Sequence, residues 1–232
     1  VSEVFHTVIT GDSFGAGEWS ESMLSHGGVS QYLYENGYSA SNISQPGAAL
    51  SWLILPLRYY LTTNVFLNIK KVVFFQTDIC RDLVNPVYKN RLISLSIEFP
   101  NKSVKDLIDL MYKDFYQQLQ NLAQEFDVEV LMVGGLTDIV SDLGEFDRLT
   151  VAVPSMMADE SVIQPVRLMG APDAWAVLDE IFKHRKQELL ELMEEQYQRH
   201  KYFKKTPRLF NDQFHPNRII HHNCYTKIIK YL

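Results

Sequence analysis

The sequence predicts an α/β protein of three layers: a doubly wound, mainly parallel sheet with helices on both faces. Three observations carry this. Residues 72–76 (VVFFQ) and 128–133 (VEVLMV) are apolar on nearly every position, as strands covered on both faces are. Between Ser103 and Phe126, apolar residues fall at Val104, Ile108, Met111, Phe115, Leu119, Leu122 and Phe126, steps of three and four that draw one stripe on a helix. Strand-like and helix-like runs alternate along the chain, and the helices are long enough to cross over between parallel strands.

Taken in order, residues 5–10 (FHTVIT) are the first strand, ending in the tight turn Gly11-Asp12-Ser13. Residues 21–36 read as an imperfect helix, interrupted by Gly27-Gly28 and stopped by Gly37. A second strand over 39–44 leads through Gln45-Pro46-Gly47 to an apolar helix over 48–66. Strand 72–76 comes next. The striped helix follows, with Ser103 and Asp106 spaced for an N-terminal cap. Strand 128–133 is then closed by Gly134-Gly135.

The connection over 136–172 is long, acidic and punctuated by proline, with a short strand at 149–153. It is expected at the strand C-termini, where ligands of such sheets bind. A helix over 173–202 turns Trp175, Leu178, Phe182, Leu189 and Leu192 inward. Its charges pair four apart as Asp179 with Lys183, Glu180 with His184 and Glu195 with Arg199, so residues 183–205 read as a solvated face. A terminal helix over 217–232 aligns Ile220, Cys224 and Ile228, with Pro216 at its first turn. No Gly/Ser-rich or Pro-rich linker divides the chain, so one domain is read over 1–232, with a loop insertion at about 136–172.

The 232 residues are 46% hydrophobic and 22% charged, with a net charge of -6. That balance argues against a nucleic-acid partner, because phosphate binding is driven by clustered Lys and Arg. The apolar stretch 48–57 is too short to span a bilayer and contains Pro56. Cys80 and Cys224 are expected to be free buried thiols. The chain begins at Val1, and no compartment is read from its first residues.

The chemistry rests on residues near opposite ends of the chain. A serine hydroxyl is a poor nucleophile until an imidazole removes its proton, and the imidazole needs a partner to hold its tautomer. Ser13 ends the first strand, where a glycine-assisted turn lifts a side chain above the sheet. Asp212-Gln213-Phe214-His215 sets a carboxylate three residues before an imidazole. Asn211 and a backbone carbonyl are the other groups able to orient that ring. Asp12 reads as an acceptor for turn N–H groups rather than as the acid of a triad.

Gly11-Asp12-Ser13, the isolated Pro46-Gly47 after the second strand, and Asp212-x-x-His215-Pro216, in that order, make the sequence resemble the SGNH (GDSL-type) hydrolase family over nearly the whole chain. The resemblance implies a flavodoxin-like α/β fold and a serine esterase. It casts Ser13 as nucleophile, His215 as base and Asp212 as the acid, with the Ser13 and Gly47 N–H groups in the oxyanion hole beside an asparagine side chain. Here the third block departs from the family's Gly-x-Asn-Asp: this chain has Phe75-Gln76-Thr77-Asp78. Thr77 is therefore expected as the third oxyanion donor. Asp78 and Arg81 are expected near substrate, with Arg81 meeting the oxyanion or a substrate acid; a structural ion pair is the other reading of Arg81.

The expected partner is a small-molecule or carbohydrate ester, an O-acetyl group ahead of a lipid, and the chemistry calls for no metal or organic cofactor. A thioesterase or lipolytic acylhydrolase would use the same three residues. A carbohydrate- or acyl-binding module would keep the fold without turnover. His221, His222 and Cys224 invite a zinc reading, but adjacent helical histidines point apart. His6 and His26 read as packed or exposed. Met156, Met157, Met169, Trp19, Trp52 and Tyr59 are read as an apolar acyl pocket or as ordinary core, and Asp138 and Asp142 as facing water ahead of substrate.

Overall fold

The computed structural model describes residues 5–20, 23–139, 142–156, 166–169, 172–206, 209–210 and 215–232. Strand β1 (His6–Thr10) runs into a one-turn helix, α1 (Ser13–Ala16), then a small antiparallel ribbon, β2 (Glu18–Ser20) and β3 (Met23–His26), and helix α2 (Gly28–Glu35). Strand β4 (Ser39–Asn42), helix α3 (Leu50–Thr63) and strand β5 (Ile69–Gln76) follow. A 3-10 turn (Ile79–Val84) and helices α4 (Pro86–Glu98) and α5 (Val104–Glu125) lead to β6 (Glu129–Gly134), then β7 (Leu149–Val153). Helices α6 (Pro172–Ile181), α7 (Lys186–Lys205) and α8 (Arg218–Ile228) complete the chain.

Five parallel strands form the central sheet in the order β4-β1-β5-β6-β7. The register aligns Val8, Val72 and Val130 across three strands, and Ile9, Val73 and Leu131 one residue on. Val8, Val72, Phe74, Val130 and Met132 pack toward α3 to α6 and the first half of α7. Ile9, Val73, Phe75, Leu131 and Val133 pack toward α2 and α8 on the other face. All ten are fully buried, which is why β5 and β6 read as unbroken apolar runs. Each such side chain contributes ~1.5–3 kcal/mol on leaving water.

The expected three-layer α/β architecture is therefore the observed one. Helix α5 begins with the Ser103–Asp106 capping box expected from their spacing, and the short strand in the long connection is β7, paired with β6.

Several local expectations are corrected. Residues 21–36 do not form one helix: residues 23–26 belong to the β2–β3 ribbon, and the helix starts only at Gly28. Residues 173–202 hold two helices, broken between Ile181 and Lys186. Nor is the face of α7 wholly solvated. Arg199 is fully buried and pairs with Asp138, while Glu195 pairs with Lys105 and Glu180 with Lys89. Asp138 likewise does not face water, being buried with Val166 N–H donating to it. Asp142 is exposed and accepts from Gly144 N–H. Pro216 lies ahead of α8, and Asn217 is its cap, accepting from Ile219 N–H.

Cys80 and Cys224 are both free and buried. His6 is packed between the hydroxyls of Ser39 and Ser41, and His26 accepts from Gly28 N–H. His221 is fully buried, whereas its neighbour His222 lies outside against Tyr32. Among the described residues no helix is long and apolar enough to cross a membrane, and no three His, Cys, Asp or Glu side chains gather in a metal-holding group.

Burial pushes His221 down from 6.5 to about 4. Between those pH values the unfolded chain binds a proton on this ring that the folded chain does not, so stability is full above 6.5 and is lost as pH falls toward 4. The loss amounts to about 3 kcal/mol. Urea unfolding at pH 7 and pH 4 is expected to show His221→Leu losing less stability on acidification than the wild type, by about that amount.

Candidate active site

The order of the sheet places the site. The chain leaves β1 toward β4 on one side and later returns to β5 on the other, so the C-terminal end of β1 lies where the winding reverses, the usual crevice for a ligand. Gly11 ends this strand so close to β5 that a Cβ on it would stand 2.6 Å from the Phe75 Cβ. Only glycine lets the turn pass there. Asp12 then caps α1, its Oδ1 accepting from Phe14 N–H at 3.0 Å, as expected of a turn acceptor.

Ser13 follows at the first position of α1, half-buried. His215 reaches it across a separation of 202 residues: Nε2 is 3.0 Å from the Ser13 Oγ. Next to the histidine, Pro216 forms a bridge with Phe210, and Asn217 N–H donates to the Leu209 carbonyl at 2.9 Å. The imidazole lies beside Phe14 and Trp19, with ring centroids 5.8 and 5.9 Å away. A ring nitrogen at this distance from a serine hydroxyl is within hydrogen-bond reach of its proton, the geometry general-base chemistry requires. Asp212 and its rival Asn211 lie outside the described residues, as does Met157.

Around Asp12 the third block takes on a different part from the one expected. Thr77 is fully buried, and its hydroxyl donates to Asp12 Oδ2 at 2.7 Å rather than facing an oxyanion. Arg81 Nη1 donates to the same oxygen at 3.2 Å and to the Ala48 carbonyl at 3.1 Å, so it makes the structural ion pair that was the other reading of this residue. Burial pushes the Asp12 carboxyl up, opposed by Arg81, the Thr77 hydroxyl, the Phe14 N–H and His215. Asp78 is also fully buried, accepting from Cys80 N–H and Met169 N–H, which removes it from substrate reach. Gln76, the residue before Thr77, is buried and bonded to Tyr116, Thr137 and the Asp138 carbonyl.

Gly47 lies in the exposed turn after β4, with φ +78, a left-handed conformation that favours glycine. That turn is held to the Ser13 turn by Gln45 N–H donating to the Gly11 carbonyl at 2.8 Å. Trp19, read from the sequence only as an apolar pocket or core residue, lies against both Ser13 and His215. Its indole N–H donates to the Ser13 carbonyl at 3.0 Å while its ring flanks His215; a lone tryptophan six residues after a serine carries no periodic signal. Of the other pocket candidates, Trp52 and Tyr59 are exposed on α3, and Met156 and Met169 are buried.

No family model matches the chain, and no curated protein does. A solved structure, protein YXIM_BACsu from Bacillus subtilis, is similar at 13% identity with a TM-score of 0.44, covering 99% of this chain and 56% of that one. The chain thus spans little more than half the length of that protein, and a likeness this distant says nothing about activity.

Proposed function

We propose that the chain is a serine esterase of the SGNH type, cleaving an oxygen ester through an acyl-enzyme on Ser13. The observation that carries this reading is the 3.0 Å approach of His215 Nε2 to the Ser13 Oγ. Ser13 attacks the ester carbonyl as the imidazole takes its proton, and the leaving alcohol departs with that proton. Water, deprotonated by the same ring, then releases the acid and restores Ser13. The Ser13 and Gly47 N–H groups, assigned by the family resemblance, receive the oxyanion, and Asp212 is the proposed orienting acid.

The proposed substrate is an ester of a small or medium acyl group, carbohydrate O-acetyl ahead of lipid. A panel of acetyl-xylan, short-chain nitrophenyl esters, long-chain esters and acyl-thioesters tests this. Fastest turnover of acetyl esters, abolished in Ser13→Ala, is the expected result; preference for thioesters or long chains makes the protein a thioesterase or a lipolytic acylhydrolase. The engagement of Thr77 with Asp12 favours one rival, a binding module short of an oxyanion donor. Equal trace hydrolysis by wild type and Ser13→Ala, with saturable sugar binding in both, would support that module.

A further inference from the structure

The segment after β5 ties together the turns that the esterase reading places around the oxyanion. Thr77 and Arg81 hold Asp12, the residue before the nucleophile. Asp82, one residue on, is buried and accepts from the Ser51 N–H and hydroxyl at the start of α3. Of these three side chains, Arg81 touches both turns, beside the direct hydrogen bond from Gln45 N–H to the Gly11 carbonyl. Its Nη1 gives one hydrogen to Asp12 Oδ2 at 3.2 Å and the other to the Ala48 carbonyl at 3.1 Å. Ala48 closes the Gly47 turn, its N–H donating to the Gln45 carbonyl at 3.0 Å. One nitrogen therefore spans the gap between the turn that bears Ser13 and the turn that bears Gly47.

We propose that Arg81 is a positioning residue that sets the Ser13 and Gly47 N–H groups at the spacing one oxyanion needs, an inference that rests on the esterase reading above. Two backbone donors stabilise an oxyanion only when both point at the same developing charge, and errors of about 1 Å in such alignment cost about 100-fold in rate. In a chain whose Thr77 hydroxyl is committed to Asp12, the alignment of these two N–H groups matters more. Arg81 touches neither substrate nor reacting atoms in this account. It acts through the two turns.

Steady-state hydrolysis of a short-chain nitrophenyl ester by Arg81→Ala and Arg81→Lys tests this, with the melting temperature of each variant measured alongside. In Arg81→Ala, kcat is expected to fall about 100-fold with KM within about twofold, and added methylguanidinium is expected to restore about tenfold. The Arg81 side chain is 27% exposed, so a small guanidinium can enter the vacated site. Lysine keeps the charge opposite Asp12 but is one bond too short to reach both acceptors. Arg81→Lys is therefore expected to stay folded while kcat drops about tenfold and KM holds; this variant decides the matter if Arg81→Ala does not fold.

Wild-type kcat in Arg81→Lys, a loss in Arg81→Ala that falls on KM, or a kcat loss that methylguanidinium leaves untouched overturns the inference while the esterase reading stands. Absence of Ser13-dependent hydrolysis in the wild type overturns both.

Discussion

His215→Ala is expected to lower kcat for ester hydrolysis by about 10⁴-fold, with KM little changed. In the esterase reading the imidazole is the base for Ser13, and it lies 3.0 Å from the hydroxyl. The other histidines at this end of the molecule are engaged elsewhere: His221 is fully buried, and His26 accepts from the Gly28 N–H. Phe14 and Trp19 flank the His215 ring without supplying a base. Loss of the ring leaves the hydroxyl protonated at neutral pH, and the rate falls to what backbone donors and substrate binding alone provide. Steady-state kinetics on a nitrophenyl acetate ester read this directly, and a fall of less than tenfold would mean that another group takes the proton.

The largest effect on stability is expected at the opposite edge of the sheet's C-terminal side. Arg199 on α7 is fully buried and pairs with Asp138, just beyond β6. Among the described residues its Nε and Nη1 have no hydrogen-bond partner, and Asp138 is the charge that pairs with it. Asp138 also links two loop segments, accepting from Val166 N–H while its own N–H donates to the Val166 carbonyl. Asp138→Ala strands a guanidinium in a low-dielectric interior, at a cost of about 3–5 kcal/mol. Removing both charges in Asp138→Leu/Arg199→Leu is expected to recover most of that loss, because the desolvation penalty disappears with the pair. Chemical denaturation of the single and double variants measures both. A single variant within about 1 kcal/mol of wild type would contradict a buried, compensated pair.

The sequence made the layers legible because burial on two faces leaves a strong mark. Val72 to Phe75 and Val130 to Val133 are apolar without a break since alternate residues meet different helices. The approach of Ser13 and His215 was also readable, through short motifs whose order along the chain fits the ends of the sheet. What was not readable depends on partners far apart in the chain. Glu195 and Arg199 have the spacing of a surface pair, yet Arg199 turns to Asp138, 61 residues away. Thr77 and Arg81 sit where donors to substrate were expected, but a buried carboxylate 65 and 69 residues earlier claims them first. Helix α4 leaves no mark in the sequence because it carries only two buried apolar residues, Leu92 and Leu95, too few to draw a stripe. The β2–β3 ribbon has the sequence of a helix because Met23 and Leu24, both exposed, lend apolar character to a segment that buries neither.

The central claim is that Ser13 is an activated nucleophile, and covalent labelling tests it most directly. Intact-mass measurement after exposure to a fluorophosphonate is expected to show one adduct on the wild type, located on Ser13, and none on Ser13→Ala. Equal labelling of both proteins, or an unlabelled wild type, would contradict it.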